Sequence, residues 1–568
     1  MNTPLINANV NTLRTGGQIL IDELRLQGTQ HVFCVPGESY IAALDALHDS
    51  PIEVTICRQE GGAAMMAEAH GKLSGKPGIC FVTRGPGATN ASPGVHIAMQ
   101  DSTPMILFVG QVERGMRERE AFQELDYRAV FGSMAKWATE IDSPDRIPEI
   151  ISRAFHVAMS GRPGPVVIAL PEDMLVEQSS VPQSRPYQPT QLAPDAACLT
   201  RLMELIETKS APLIIAGGSA WDKESVEALA RFSTLHDLPV AVSFRRQSLV
   251  SADNPNFVGD LGAGSNPKLV EYAKKSDLIL LIGGRLSELP SQSYSLLSIP
   301  CPEQTLVHVH PGIGEIGRVY RPDLSFNMSP GAFLKSVNTY DHHQSHKHSA
   351  RVDEGRKLYL DWSEDFTVVP GPFNLGAAIC ALRDELPDDA VICNGAGNYA
   401  TWVHRFYRFR TFGSQLAPTS GSMGYGVPAA VAAKRVNPDR TVLAFAGDGC
   451  FLMNGQEFAT AVQYNLNIIV VVVDNGMYGT IRMHQEREYP GRVVATALKN
   501  PNFADYARTF GGHGETVTKT DDFIPALRRA MAAGKPAILH CLTDPEALTP
   551  ARSLSQIRQE AYLAGRGK

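Results

Sequence analysis

A glycine-flanked carboxylate, Ala446-Gly447-Asp448-Gly449-Cys450, follows an apolar run from Thr441 to Phe445. An amphipathic stretch from about Asn454 to Tyr464 comes next, then the β-branched run Ile468 to Val473 and the pair Asp474-Asn475. Strand, turn, helix and second strand bring both strand ends to one edge of a parallel sheet, where ligands of such sheets bind. Asp448 and Asn475 thereby converge on one hard cation through oxygen atoms that suit magnesium. Gly447 and Gly449 let backbone amides approach a phosphate at the start of the helix. The chemistry this pattern serves is the binding of a metal-bound diphosphate.

A second carboxylate stands in Thr55-Ile56-Cys57-Arg58-Gln59-Glu60-Gly61-Gly62-Ala63-Ala64. Glu60 lies just past an apolar strand and opens a helix of small residues. A glutamate in a first helical turn is commonly there to complement the helix dipole. Beside an apolar surface, desolvation would instead lift its pKa and let it hold a proton. Three glycine turns each follow a strand: Val35-Pro36-Gly37-Glu38, Thr83-Arg84-Gly85-Pro86-Gly87-Ala88-Thr89-Asn90 and Asn394-Gly395-Ala396-Gly397-Asn398-Tyr399.

The elements that carry these residues alternate between helix and strand, which predicts parallel sheets covered by helices on both faces. At 568 residues the chain is too long for one core. We expect an α/β protein of three doubly wound domains: 1–180, 195–340 and 370–548, with a tail over 549–568. The proline-, glutamine- and serine-rich stretch Val181 to Pro194 reads as a linker. Thr339 to Glu354 reads as an exposed, solvated connection, and His342, His343, His346 and His348 as part of it rather than as metal ligands.

The motifs together resemble the thiamine diphosphate-dependent enzymes, in particular acetolactate synthase catalytic subunits and the related pyruvate decarboxylases. That resemblance implies a first domain that binds the aminopyrimidine, a central Rossmann-like domain and a third domain that binds the diphosphate. It implies Asp448, Asn475 and the backbone carbonyl of Met477 as ligands of Mg²⁺, with Gly447, Gly449, Cys450, Tyr478 and Gly479 around the diphosphate. Asn398 and Tyr399 fall where relatives place a Gln-His pair on the terminal phosphate. Thr419-Ser420-Gly421-Ser422-Met423-Gly424 resembles the loop that bends the coenzyme: the Gly421 carbonyl accepts from the 4′-amino group and Met423 wedges between the rings. Pro36, Gly37, Pro86 and Asn90 belong to the pyrimidine side. Glu60 is the acid that donates to the pyrimidine N1′ and so activates the coenzyme.

Within that family, Gln111-Val112, Ala121-Phe122-Gln123-Glu124 and Lys136 resemble the substrate loop of the synthases. Phe122 would shape the acceptor side and Gln123 would hydrogen-bond the substrate. Three departures stand against a strict synthase. Glu38 places a carboxylate over the coenzyme, as decarboxylases do, to act as a general acid/base or to repel anions. Leu289 replaces an arginine that pairs with the acceptor's carboxylate, and a bidentate guanidinium is hard to replace. His484 stands where synthases keep a tryptophan, and it or Arg482 can supply charge or a proton. The expected reaction is decarboxylation of a 2-oxoacid and ligation of the resulting carbanion to an acceptor carbonyl. The alternative is a non-oxidative 2-oxoacid decarboxylase of the benzoylformate or indolepyruvate kind, or another thiamine-dependent C–C lyase. In the central domain, Gly217-Gly218 and Gly259-Asp260-Leu261-Gly262 resemble flavin-binding regions, which leaves FAD, an ADP-type ligand or an empty pocket open. Relatives join Glu60 and Asp448 from different subunits, so a homodimer or homotetramer is implied.

Composition is consistent with that reading. The chain is 43% hydrophobic and 20% charged with a formal net charge of −7, which provides no basic footprint for nucleic acid or a membrane surface. Nine scattered cysteines form no CxxC pair, as expected for free thiols in a reducing compartment. Neither a membrane span nor an apolar leader core is seen, which makes the cytoplasm the expected location.

Overall fold

The computed structural model describes residues 13–190, 192–340, 344, 346–364 and 366–566. They build three six-stranded sheets whose paired strands all run parallel. The first sheet contains β1 (His31–Cys34), β2 (Glu53–Ile56), β3 (Gly78–Val82), β4 (Met105–Gln111), β5 (Trp137–Glu140) and β6 (Pro165–Pro171). The central sheet contains β7 (Pro212–Ala216), β8 (Val240–Ser243), β9 (Phe257–Leu261), β10 (Leu278–Ile282), β11 (Thr305–Val309) and β12 (Leu324–Phe326). The third contains β13 (Val391–Asn394), β14 (Gln415–Leu416), β15 (Val442–Gly447), β16 (Ile469–Asp474), β17 (His513–Val517) and β18 (Ala537–Leu542).

The first sheet has the order β2-β1-β3-β4-β6-β5, and the third repeats that wiring as β14-β13-β15-β16-β18-β17. The central sheet differs, running β9-β8-β7-β10-β11-β12, the strand order of dinucleotide-binding domains. Central strands such as β4 and β10 are buried along their whole length, because helices cover both faces. Edge strands are weaker in pattern: β5, Trp-Ala-Thr-Glu, is only half-buried throughout.

Small residues let the first and third domains meet closely. The Glu60–Ser74 helix is buried from Gly61 to Gly71. It packs on one side against the Pro86–Asp101 helix and on the other against the Gly426–Val436 helix, itself rich in alanine. A Cβ at Gly94 would lie 2.4 Å from that of Ala64, so glycine is what permits this spacing. One apolar core consequently runs through both domains, from Phe33 to Ile538.

The structure departs from the sequence reading at the end of the central domain. Part of the stretch expected as an exposed connection is helix: Ser349–Glu364 packs on β9 through Tyr359, whose ring meets Phe257 at 4.8 Å. His348 is buried with Nε2 3.2 Å from the Ile206 carbonyl, and His346 lies 3.2 Å from Asp237. His342 and His343 lie outside the described residues. Residues 181–190 and 192–194 carry no helix or strand. No helix among the described residues is long and apolar enough to cross a membrane.

Candidate functional site

At the carboxyl edge of the first sheet, four turns converge. Gly37, after β1, touches Thr83: a Cβ there would lie 2.4 Å from the threonine. Gly85, after β3, has φ +46 and presses on the backbone of Gln123. A Cβ at Gly87 would stand 3.4 Å from a Glu60 carboxyl oxygen. Asn90 donates to the other Glu60 oxygen at 3.0 Å. Glu60, Pro86, Asn90 and Gln123 thus share one edge, with Phe122 beside them and 71% exposed.

Glu60 is not needed to cap its own helix. The Gln59 side chain accepts from the Gly62 amide at 3.0 Å. Glu457, reaching across from the third domain, accepts from the Arg58 and Gln59 amides, both at 3.0 Å. Those acceptors satisfy the amides that a first-turn carboxylate usually serves, and the Glu60 carboxyl turns to Asn90 instead.

Glu38 is ion-paired. Arg84, itself buried, donates to it at 2.9 Å and to Glu172 at 3.3 Å.

In the third domain, three helix N-termini point into one cavity of about 260 Å³: Asn398–Phe406, Asp448–Asn454 and Gly479–Glu488. Free amides and aligned dipoles at such ends attract anions. The cavity lining brings together Asn398, Tyr399, Gly421, Met423, Gly447, Asp448, Gly449, Cys450, Asn475, Met477, Tyr478 and Gly479. Side chains would fill this cradle: a Cβ at Gly449 would lie 2.5 Å from the Tyr478 ring, and one at Gly479 2.7 Å from Leu548.

Asp448 is buried, and burial with Asp474 nearby pushes its carboxyl up to about 6. Asn500 bridges the two acids, donating to Asp448 at 2.8 Å and to Asp474 at 2.9 Å. Burial alone would raise Asp474 as well. Hydrogen bonds from His540 at 2.9 Å, the Gly476 amide and Asn500 outweigh it and keep that carboxyl below the usual range. The Asn475 side-chain oxygen accepts from the Met477 amide at 3.2 Å, folding the turn that follows β16. An acid lifted by burial, an amide oxygen and a tight turn form a donor set that suits Mg²⁺. In the sequence Asp474 stands out only as the neighbour of Asn475, and Asn500 and His540 not at all. Asn500 is 52 residues from Asp448, and only the folded sheet edge joins them.

Two residues sit differently from their expected roles. The Tyr399 hydroxyl is buried, accepting from the Gly395 amide at 3.0 Å and lying 3.3 Å from Cys450 Sγ. It braces the turn, while the Asn398 side chain beside it accepts from Thr480 at 2.9 Å. His484 does not line the cavity; its Nδ1 lies 2.6 Å from Arg487. Burial and that arginine lower its pKa, favouring the neutral ring. Arg482 is paired with Glu486 at 3.1 Å.

In the central domain, Gly218 lines a cavity of about 680 Å³ together with Lys72 and Arg246. Its volume is that of a typical small-molecule pocket. The Gly259–Gly262 segment is not among the residues lining it, and the Phe244 ring packs on Gly262, where a Cβ would come within 2.5 Å.

No residue of 13–190 lines the third-domain cavity. One chain thus carries two half-sites, an acid edge and a cation-and-phosphate cradle, on sheets of the same wiring. Fold and site define an α/β enzyme whose third domain gathers three helix N-termini and a buried acid around one cavity.

Comparison with known proteins gives the family. Residues 14–130 match the description "Thiamine pyrophosphate enzyme, N-terminal TPP binding domain", 199–337 its central domain and 395–541 its C-terminal TPP binding domain. Acetolactate synthase 2, chloroplastic, of Zea mays is 30% identical, covering 94% of this chain and 86% of the maize protein. Acetolactate synthase isozyme 2 large subunit of Escherichia coli is 28% identical over 93% of this chain and 95% of its own. Acetolactate synthase of Bacillus subtilis is 27% identical over 93% of both. The chain belongs to the thiamine pyrophosphate enzymes and is an acetolactate synthase-like, thiamine diphosphate-dependent enzyme.

Proposed function

We propose that the protein decarboxylates a 2-oxoacid and transfers the acyl carbanion equivalent to an acceptor carbonyl, using thiamine diphosphate and Mg²⁺. When bound, the coenzyme supplies a nucleophilic carbon that adds to the carbonyl and takes up the electrons released with CO₂. Asp448, Asn475 and the Met477 carbonyl hold the ion, and the three helix N-termini receive the diphosphate. Glu60 keeps a proton at the pyrimidine N1′, with Asn90 fixing its carboxyl. Gly421 and Met423 orient the rings. Phe122 and Gln123 border the acceptor side, and the Arg84-bound Glu38 carboxylate repels misplaced anions.

The observation that carries this reading is the pairing of half-sites: an acid freed from helix capping at one sheet edge, a cradle with a cation-ready acid at the other. That the cavity is lined without the first domain supports a site whose acid edge comes from a second copy. Exposed apolar side chains flank both halves, Phe122 on one and Leu452, Met453 and Ile481 on the other, as expected of surfaces that a second copy covers. A homodimer is the smallest assembly that completes the site; a homotetramer would contain two such dimers. The central cavity accommodates a nucleotide of ADP size, and flavin is not assigned to it.

A decarboxylase that releases the aldehyde is the second reading, favoured by Glu38 and by Leu289, which is 37% exposed and offers no charge. Incubation with a panel of 2-oxoacids, with and without a second carbonyl, separates the two. Carbon–carbon bonded products support the ligase, and free aldehyde with either mixture supports the decarboxylase. Failure to bind thiamine diphosphate with Mg²⁺, read by circular dichroism, would overturn both.

A further inference from the structure

The segment Ala417 to Tyr425, which carries Gly421 and Met423, is tied at its ends by buried charged groups, while its tip is held only by the Gly421 amide on the Pro418 carbonyl at 3.1 Å and by Met423 packing on the core. At the first end, the Lys72 ammonium donates to the Ala417 carbonyl at 3.3 Å. Asp101 accepts from the Thr419 amide at 3.0 Å and from its hydroxyl at 2.6 Å. From the central domain, Arg245 donates to the Pro418 carbonyl at 2.5 Å. At the other end, the Tyr425 hydroxyl donates to Glu68 at 2.6 Å. Lys72 ties these acids together, 2.9 Å from Glu68 and in contact with Asp101.

Every charged group in this cluster is buried. The side chains of Glu68 and Asp101 are wholly enclosed and that of Lys72 nearly so. Arg245 is 4% exposed, and among the described residues it makes no salt bridge and its Nε finds no hydrogen-bond partner. Burying such charges is costly unless they are hydrogen-bonded. Beside their bonds to one another and the Thr103 hydroxyl on Glu68 at 2.7 Å, these groups bond to one short loop, across sequence separations of 173 to 357 residues. The tip has no such support. A Cβ at Gly421 would meet nothing within 4 Å, and the Ser420 hydroxyl is buried without a partner.

Resting on the coenzyme reading given above, we propose that Asp101, with Lys72 as its counter-charge, is a positioning residue that sets the height of the Gly421–Met423 tip through Thr419. Glu68 fixes the far end and Arg245 braces the near one. The first and central domains thereby hold the third-domain loop at the place where the coenzyme must bend. The diphosphate and ion ligands lie on other turns, so the network acts on ring geometry and leaves anchoring to the rest of the cavity.

Thr419→Val removes the hydroxyl while keeping size, and Thr419→Ser restores it. In full-length protein with Mg²⁺ and thiamine diphosphate, Thr419→Val is expected to slow thiazolium C–H exchange about tenfold. It should also change the near-ultraviolet dichroism of the bound coenzyme, with its Kd shifting less than about threefold. Thr419→Ser should recover both signals. In the protein without coenzyme, Asp101→Asn should speed hydrogen exchange at the Thr419 amide by about tenfold or more. If Asp101→Asn does not fold, the Thr419 pair decides alone. Unchanged exchange and dichroism in Thr419→Val, with wild type responding normally, would overturn this assignment and leave the coenzyme reading intact. Wild type that neither binds nor exchanges would overturn the coenzyme reading itself.

Discussion

The first and third domains share one strand order, yet their active edges do opposite things. The first presents a carboxyl held by an amide, with glycine turns that admit a flat ring. The third presents three helix N-termini, a buried acid and an amide oxygen. The scaffold is the same and the loops differ, which shows function to reside in what is grafted on the sheet ends. The central domain sharpens the contrast. Its sheet has another order, and the cavity it borders is lined by residues of all three domains, among them Lys72, Gly218 and Leu416.

The largest effect is expected from the third domain. Asp448→Ala should weaken Mg²⁺-dependent coenzyme binding on the order of 100-fold, measured by fluorescence titration. Binding within threefold of wild type would break the assignment of this edge to the diphosphate. Glu60→Gln should spare binding and slow thiazolium C–H exchange by about 100-fold or more, followed by NMR. A variant that loses binding instead would show that the first edge anchors rather than activates.

Both edges were readable because their signals are local. A β-branched run, a glycine turn and one polar side chain fix a strand end, so Asp448, Asn475 and Glu60 stand out within a few residues of their strands. What escaped notice is contact between distant segments. The pattern around Glu457 is that of an ordinary amphipathic helix, whereas its carboxyl accepts from the Arg58 and Gln59 amides at the start of the Glu60 helix, some 400 residues earlier in the chain. The expected helix from Asn454 in fact begins at Asp448 and is interrupted by a 3₁₀ turn at Gly455–Glu457, which aims that glutamate inward. Edge strands such as β5 and β14 are short or half-polar and gave little pattern. The Ser349–Glu364 helix has a polar surface and a narrow buried stripe at Val352, Gly355 and Tyr359, and so resembled a linker.

The smallest effect lies in the central domain, where a strained carboxyl serves no evident chemistry. Burial pushes Asp260 from its ordinary 3.8 to about 7, with Gln247 at 3.2 Å as its side-chain partner. Between those values the folded state binds the extra proton, so stability falls as pH rises from about 4 to about 7 and is level above. Asp260→Asn should flatten that slope and raise the thermal midpoint at pH 8 by about 2–4 °C. A lower midpoint at pH 8 would assign the charge a role, and the central domain would cease to be the quiet member of the three.

The central claim is that each complete site draws its acid edge from one copy and its cradle from another. Mixing Glu60→Gln and Asp448→Ala chains, each inactive alone, after reversible dissociation tests it directly. Hybrid dimers would contain one site with both native residues, so about a quarter of wild-type activity should return. Mixtures as inactive as their parents, with hybrids demonstrated by mass spectrometry, would contradict it.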